Sequence, residues 1–219
     1  MRAAAELFDA NSDPQSARQP LCEGAVLLRG FMLPRGHAIL HALDDVIRAA
    51  PLRHMLTPGG LRMSVAMSNC GKLGWISDRR GYHYSPTDPE SGEPWPAIPQ
   101  VFARLARDAA AAAGFAGFIP DACLINRYAP GAKLSLHQDR DERDFSQPIV
   151  SVSLGLSATF LFGGLRRGDK PMRVALRHGD VVVWGGASRL RYHGVLPLKD
   201  GTHSLLGGCR INLTFRKAG

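Results

Sequence analysis

Residues 210–216, Arg-Ile-Asn-Leu-Thr-Phe-Arg (RINLTFR), are the stretch on which the reading of the fold turns. The alternation is unbroken. Ile211, Leu213 and Phe215 share one face, while Arg210, Asn212, Thr214 and Arg216 share the other, which is the period of a β-strand. The plain reading is a half-exposed strand with its polar face in water. Two arginines bracketing an asparagine also suit a carboxylate, because a guanidinium grips it through two parallel hydrogen bonds. Ala122–Tyr128, Lys133–Asp139, Ile149–Leu156, Thr159–Phe162, Met172–Leu176 and Asp180–Trp184 upstream, and Gly208–Phe215 around the quoted stretch, read as short strands separated by Gly and Pro turns. Roughly seven or eight strands in about a hundred residues predict a sandwich or jelly roll.

The N-terminal half is different. Gly24–Phe31 reads as a short buried strand. Arg35–Ala50 carries Ile39, Leu40, Leu43, Val46 and Ile47 at the spacing of an amphipathic helix that stops at Pro51, and Pro99–Ala113 is a second helix ended by Gly114. Between them no period persists, apart from an alternating piece at Arg62–Met67 that reads as a hairpin arm. A long irregular segment bearing aromatics inside a compact chain is read as a functional cover.

With 219 residues, 45% of them hydrophobic, the chain is long enough to bury one good core. Its 4 cysteines are scattered without a C-x-x-C, which predicts reduced, structural thiols of a cytoplasmic protein. Glu6 and Asp9 precede any apolar run, against a signal peptide, and no apolar stretch is long enough to span a membrane. The net charge of +8 points to a polyanionic partner, with Arg166, Arg167, Lys170, Arg173 and Arg177 the densest run. A solvated basic surface explains the same run equally well.

Leu134–Glu142, LSLHQDRDE, contains His137 and Asp139 two residues apart. On one strand face they form two arms of a 2-His-1-carboxylate metal site, with Ser135 and Asp141 on the same face. Chance alone gives roughly half an H-x-D in a chain of this composition. This chain holds two, and the second, His178-Gly179-Asp180, is read as a turn. His193 is the third candidate ligand, although a lone strand histidine is usually structural. Asn126 and Tyr128 share a face and suit a small polar ligand.

INRYAPGAKLSLHQDRDE, IVSVSLGL, HGDVVVWGG, SRLRYHGV and CRINLTFR, in this order, together with TPGG, MSVAMSNCG, LGW and GYHYSP, resemble the AlkB family of Fe(II)/2-oxoglutarate-dependent dioxygenases from about Leu21 onward. The resemblance implies an α+β chain with a double-stranded β-helix core of jelly-roll or cupin type, supporting helices and an N-terminal nucleotide-recognition lid. The division is residues 1–50 as extension and supporting helix, 51–98 as lid and 99–219 as the dioxygenase core.

The resemblance also implies repair of alkylated DNA, or RNA, by oxidative demethylation of bases such as 1-methyladenine and 3-methylcytosine. Fe(II), O2 and 2-oxoglutarate are consumed or used, and formaldehyde, succinate and CO2 are released. Carried over, His137, Asp139 and His193 hold iron and are catalytic. Asn126, Tyr128, Arg210, Asn212 and Arg216 contact 2-oxoglutarate, Arg210 at the distal carboxylate and Arg216 nearer the metal. Trp75, Tyr82, His83, Tyr84, Asp141 and Arg167 meet the substrate, expected as single-stranded DNA, and the enzyme acts as a cytoplasmic monomer without membrane or obligate protein partner. Leu61 stands where bacterial relatives carry an aromatic, a departure in the lid. The rivals are an oxygenase of another substrate, a non-catalytic nucleic-acid-binding module, and a zinc hydrolase. The last leaves Arg210 and Arg216 without a purpose.

Overall fold

The computed structural model describes residues 17–219, so Glu6 and Asp9 lie outside the described residues. In chain order the elements are β1 (Arg18–Cys22), β2 (Ala25–Leu28), α1 (Gly36–Ala49), β3 (Ala66–Gly71), β4 (Gly74–Asp78), β5 (Gly81–Ser85), α2 (Gln100–Ala112), β6 (Ala122–Tyr128), β7 (Leu134–His137), β8 (Ile149–Gly155), β9 (Ala158–Phe162), β10 (Met172–Leu176), β11 (Val181–Trp184), β12 (His193–Val195) and β13 (Arg210–Arg216). The pairings are antiparallel throughout. They build a major sheet in the order β1-β2-β11-β8-β13-β6-β3, a minor sheet in the order β10-β9-β12-β7, and the separate hairpin β4-β5.

Two apolar clusters explain this layering. Helix α1 buries Ile39, Leu43 and Val46, and α2 buries Phe102, Leu105, Ala106, Ala109 and Ala110, whose small side chains let the helix lie close. These pack on Val150, Val152, Ile211, Leu213 and Phe215, the outer face of the major sheet. The second cluster, with Phe160, Phe162, Val182, Trp184 and Val195, fills the space between the two sheets. A double-stranded β-helix with supporting helices results.

The expectation of a half-exposed β13 is therefore corrected. All seven of its residues are buried, because helices cover its apolar face and the minor sheet stands opposite its polar face. Period two records that two faces differ, not that either one meets water. The strand expected over Lys133–Asp139 also ends early, at His137, leaving Asp139 and Asp141 in the coil beyond. The 51–98 stretch is divided more finely than expected, since its β3 forms the edge of the major sheet beside β6. The hairpin arm at Arg62–Met67 is realised irregularly, through the isolated bridges Arg53↔Met67 and Leu56↔Arg62. The β4-β5 hairpin departs from the irregular chain expected there. Its turn is fixed by Asp78, whose Oδ1 accepts the Arg80 N–H at 2.8 Å, and by Gly81 at φ +124°.

Candidate active site

The polar face of β13 lines a cavity of about 720 Å³ between the sheets. Pairing places two histidines at its edge, since His193 on β12 is the direct cross-strand partner of His137 on β7. The ladder shifts register between His193 and Val195. Gly194 permits this, since a Cβ there would meet the Leu134 carbonyl oxygen at 2.6 Å. The imidazole centroids stand 4.4 Å apart. The His137 Nδ1–H donates to the Ser135 carbonyl at 2.8 Å and the His193 Nδ1–H to the Arg191 carbonyl at 3.0 Å. Both rings are thereby held in the tautomer that turns an Nε2 lone pair to the cavity.

Asp139 completes the group. Its Oδ1 lies 3.6 Å from His137 Nε2 and its Oδ2 3.7 Å from His193 Nε2. One ligand atom from each residue falls within 4.8 Å of the others. A first-row divalent ion with donors at roughly 2.1 Å holds adjacent donors about 3 Å apart, so each histidine needs to approach the Asp139 carboxylate by less than about an ångström. Two neutral imidazoles and one carboxylate on a single side are the donor set of a non-haem Fe(II) centre, with the remaining positions open.

Since Asp139 lies past the end of β7, strand geometry does not hold it. Arg216 does, donating from Nε and a terminal nitrogen to Oδ2 at 2.9 and 2.6 Å, while Arg189 donates to the Asp139 carbonyl at 2.7 Å. Burial alone raises the Asp139 pKa, but Arg216, then His193 and His137, outweigh it and hold the carboxyl well below its usual range. Burial, then His137, pushes His193 down to about 4. The signs give a pH prediction for the metal-free protein. A histidine ordinarily near 6.5 and depressed when folded binds its proton more readily in the unfolded chain. Stability is therefore lost as pH falls from about 6.5 towards 4. Urea unfolding at stepped pH measures this, and a His193→Gln variant is expected to show a flatter dependence over that window.

Behind this group lies a network that sequence reasoning missed. Glu142 is buried and salt-bridged to Arg189 at 3.0 Å and to Arg216 at 3.3 Å, and it accepts the Tyr84 hydroxyl at 2.7 Å. Glu142 supplies the negative charge that two buried guanidinium groups need once Asp139 has only one charge to offer. Its partners Arg189, Tyr84 and Arg216 are 47, 58 and 74 positions away in sequence, so no local signal marks it; the SRLRYHGV motif contains Arg189 without revealing its role.

At the other end of β13, Arg210 is fully buried over the Tyr128 ring, 5.0 Å from its centroid. It donates to Ser153 Oγ at 3.1 Å, but its Nε and Nη1 have no partner among the described residues, nor does the nearby Asn126 Oδ1. Burial lowers the Arg210 pKa, and Tyr128 opposes that only in part. An unneutralised buried guanidinium is costly. Orphan donors lining the same cavity as the His/Asp/His group fit an anion that reaches from one to the other, as a dicarboxylate does. Asn212 sits between them, donating to Ser151 Oγ at 2.8 Å and accepting the Thr214 hydroxyl at 2.8 Å.

The family model of the 2OG-Fe(II) oxygenase superfamily matches residues 24–216. Alpha-ketoglutarate-dependent dioxygenase AlkB of Escherichia coli (strain K12) is 58% identical over 213 residues, covering 97% of this chain and 99% of that protein. The chain belongs to the AlkB family. An AlkB homologue of Caulobacter vibrioides is 43% identical over 182 residues, covering 83% of this chain and 81% of its own. The solved structure of OsALKBH1 aligns with a TM-score of 0.79 at 34% identity, covering 91% of this chain and 99% of that one. As an AlkB-family dioxygenase, the protein uses Fe(II), 2-oxoglutarate and O2, and the residues present fit the metal and the dicarboxylate.

The AlkB-family expectations for the substrate side divide into two groups. Trp75, Tyr82, Asp141 and Arg167 line the main cavity. Trp75 and Tyr82 stack at 5.4 Å, and the Trp75 indole N–H donates to Asp141 Oδ2 at 2.8 Å. Asp141 therefore arrives from the coil after β7, and not from the strand face expected for it. The Arg167 guanidinium lies 6.0 Å from the centroid of the Tyr192 ring. His83 and Tyr84 instead line a smaller adjoining cleft. Burial pushes the Tyr84 phenol well above its ordinary pKa, so it remains the donor to Glu142. The second H-x-D is structural, because Asp180 accepts the Gly30 and Arg177 N–H groups and pairs with Arg29 at 2.7 Å. The four cysteines are free thiols. No helix among the described residues is long and apolar enough to cross a membrane.

Proposed function

We propose that this protein repairs alkylated nucleic acid, removing methyl groups from ring nitrogens of bases such as 1-methyladenine and 3-methylcytosine, with single-stranded DNA as its main substrate. It works as a cytoplasmic monomer. The observation that carries this reading is one cavity that joins a His/Asp/His donor group, an orphaned buried guanidinium and an aromatic mouth. His137, Asp139 and His193 hold the iron. Arg210 takes the distal carboxylate of 2-oxoglutarate with help from Tyr128 and Asn126. Asn212 orders the floor, and Arg216 keeps Asp139 ionised and aimed. When bound, iron and 2-oxoglutarate supply the oxidising chemistry that breaks the C–H bond of the N-methyl group.

The protein's own contribution is selection, orientation and exclusion of water. A base must leave its stack to reach the cavity, which favours single strands and weakened pairs. The lid is formed by the β4-β5 hairpin and the irregular 51–65 segment. Tyr82 covers one face of Trp75, and the base stacks on the other. A ring-methylated base is cationic, and stacking it on an indole is worth about 0.5–2 kcal/mol. Asp141, locked by Trp75, adds a carboxylate at the same place and so prefers the cation. Tyr82 and His83 guide the sugar-phosphate chain, Tyr84 braces them from below, and Arg167 contacts the strand from the opposite wall.

The test is to incubate the protein with Fe(II), 2-oxoglutarate and an oligonucleotide bearing one 3-methylcytosine, and to follow formaldehyde, succinate and loss of the methyl group. Demethylation that needs 2-oxoglutarate and vanishes in His137→Ala supports the reading. Succinate without demethylation rejects the substrate and keeps the oxygenase. In Asp141→Asn, preference for a cationic over a neutral lesion is expected to fall by about tenfold, the equivalent of roughly 1.4 kcal/mol.

A further inference from the structure

The His178-Gly179-Asp180 turn uses its aspartate to hold the fold, but its histidine has a separate setting. The His178 ring lies against the His203 ring, with centroids 4.5 Å apart and planes at 36°. The two come from different parts of the chain. His178 stands in the turn between β10 and β11, and His203 in the 199–209 segment that leads into β13. Both are half-buried.

Each ring is an acceptor. The Gly155 N–H donates to His178 Nδ1 at 3.0 Å, and the Leu205 N–H donates to His203 Nδ1 at 3.2 Å. A backbone amide nitrogen offers only its hydrogen, so both Nδ1 atoms present a lone pair and both rings are neutral with the proton on Nε2. This tautomer is the reverse of the one held at His137 and His193, whose Nδ1–H groups donate. The second pair is therefore unsuited to a metal and suited to holding backbone.

What it holds is the far end of the cavity. Gly155 ends β8 and is the direct cross-strand partner of Arg210 on β13. The Leu156 N–H donates to the carbonyl of Cys209, the residue before Arg210, at 3.0 Å. Ser153 of β8 exchanges backbone hydrogen bonds with Gly179 and Asp180 at 2.8 and 2.9 Å, and its Oγ accepts the Arg210 guanidinium at 3.1 Å. His203 closes its own loop through two backbone hydrogen bonds with Gly207, at 2.9 and 2.8 Å. The stacked rings thus join the β10–β11 turn to the segment entering β13, and His178 also pins the β8 end that pairs with Arg210. Among the described residues His203 is the one titratable group acting on His178. Asp180 is engaged with Arg29, Arg177, Lys199 and Asp200 are exposed, and Arg210 faces Tyr128, while β8 brings no charged side chain.

We infer that the His178/His203 pair is a positioning element for the 2-oxoglutarate end of the cavity, effective while both rings are uncharged. This rests on the reading that Arg210 takes the distal carboxylate. Protonation puts a hydrogen on Nδ1, facing the Gly155 or Leu205 amide hydrogen, and a second protonation sets like charges side by side. The tie to the β8–β13 junction is then lost, and with it the aim of Arg210. Burial, then His203, lowers the His178 pKa. A histidine depressed by folding contributes while neutral, and that contribution fades as pH falls below about 6.5.

The test is calorimetric binding of 2-oxoglutarate to the Fe(II)-loaded protein under nitrogen, without nucleic acid, at about pH 7.5 and about pH 5.5. His178→Asn keeps an oxygen acceptor near the Nδ1 position and removes the titrating ring. On going to the lower pH the wild-type protein is expected to lose roughly fivefold more affinity than His178→Asn, the scale of one hydrogen bond. In the metal-free protein at neutral pH, the imidazole nitrogen resonances of both residues are expected to show a bare Nδ1 and a protonated Nε2. Equal pH losses in the wild type and His178→Asn, or a protonated Nδ1 in either ring, overturn the inference and leave Arg210 its role. Unchanged 2-oxoglutarate binding in Arg210→Met overturns both.

Discussion

Asp139→Ala is expected to abolish demethylation and, separately, to destabilise the metal-free protein by about 3–5 kcal/mol, the usual cost of removing one partner from a buried ion pair. Two effects combine. The His/Asp/His group loses its only carboxylate, so the donor set no longer matches a non-haem Fe(II) site. Arg216, with 7% side-chain exposure, then keeps only Glu142 at 3.3 Å among the described residues, and Glu142 already serves Arg189. Iron affinity and urea unfolding are measured on the same preparation. Asp139→Asn separates the two effects, because it preserves shape and a hydrogen-bond acceptor for Arg216 but removes the charge. Metal binding lost with stability unchanged would show that Arg216 does not depend on the charge of Asp139.

Arg210→Met is expected to move stability and function in opposite directions. Among the described residues its guanidinium is buried without a carboxylate partner, with Nε and Nη1 unsatisfied. Replacing it with an apolar side chain of similar length is expected to stabilise the ligand-free protein by about 1–2 kcal/mol, as substitution of buried charges by well-packed apolar residues often does. The same change removes the cationic end of the dicarboxylate site. The rise in melting temperature on adding 2-oxoglutarate should disappear, and the KM for 2-oxoglutarate should increase by about a hundredfold, corresponding to roughly 2.7 kcal/mol. A variant that loses stability without ligand would mean that Arg210 is satisfied by the fold itself.

Sequence and structure agree where the signal is local. The period of β13, the spacing of Ile39, Leu43 and Val46 in α1, and the Gly and Pro punctuation of the second half are short-range patterns, and the seven strands expected there formed within a residue or two of the expected place, whereas the three-residue β12 was too short to leave a pattern. The turn at His178-Gly179-Asp180 was legible for the same reason. What the sequence concealed depends on partners far along the chain. Alternation in β13 cannot say that helices cover one face and a minor sheet the other. The end of β7 at His137 depends on which strand lies beside it. The Trp75–Asp141 hydrogen bond joins residues 66 apart, and Glu142–Arg189 joins residues 47 apart. The β4-β5 hairpin is a different case. Aromatic residues flank Asp78–Gly81, but the prolines from Pro86 to Pro99 that follow give the surrounding sequence the character of irregular chain.

The pairing of His137 opposite His193 has one more consequence. Strand β7 is the margin of the minor sheet, four residues long, with a single neighbour. Backbone ladders that short open readily and lie at the low-stability end of a protein's local unfolding spectrum. A metal ligated by His137 on β7 and His193 on β12 would act as an additional rung across that ladder, placed at its weakest edge. Iron occupancy would then determine how often the rim of the cavity frays, so that an enzyme lacking metal would be not only idle but locally ajar.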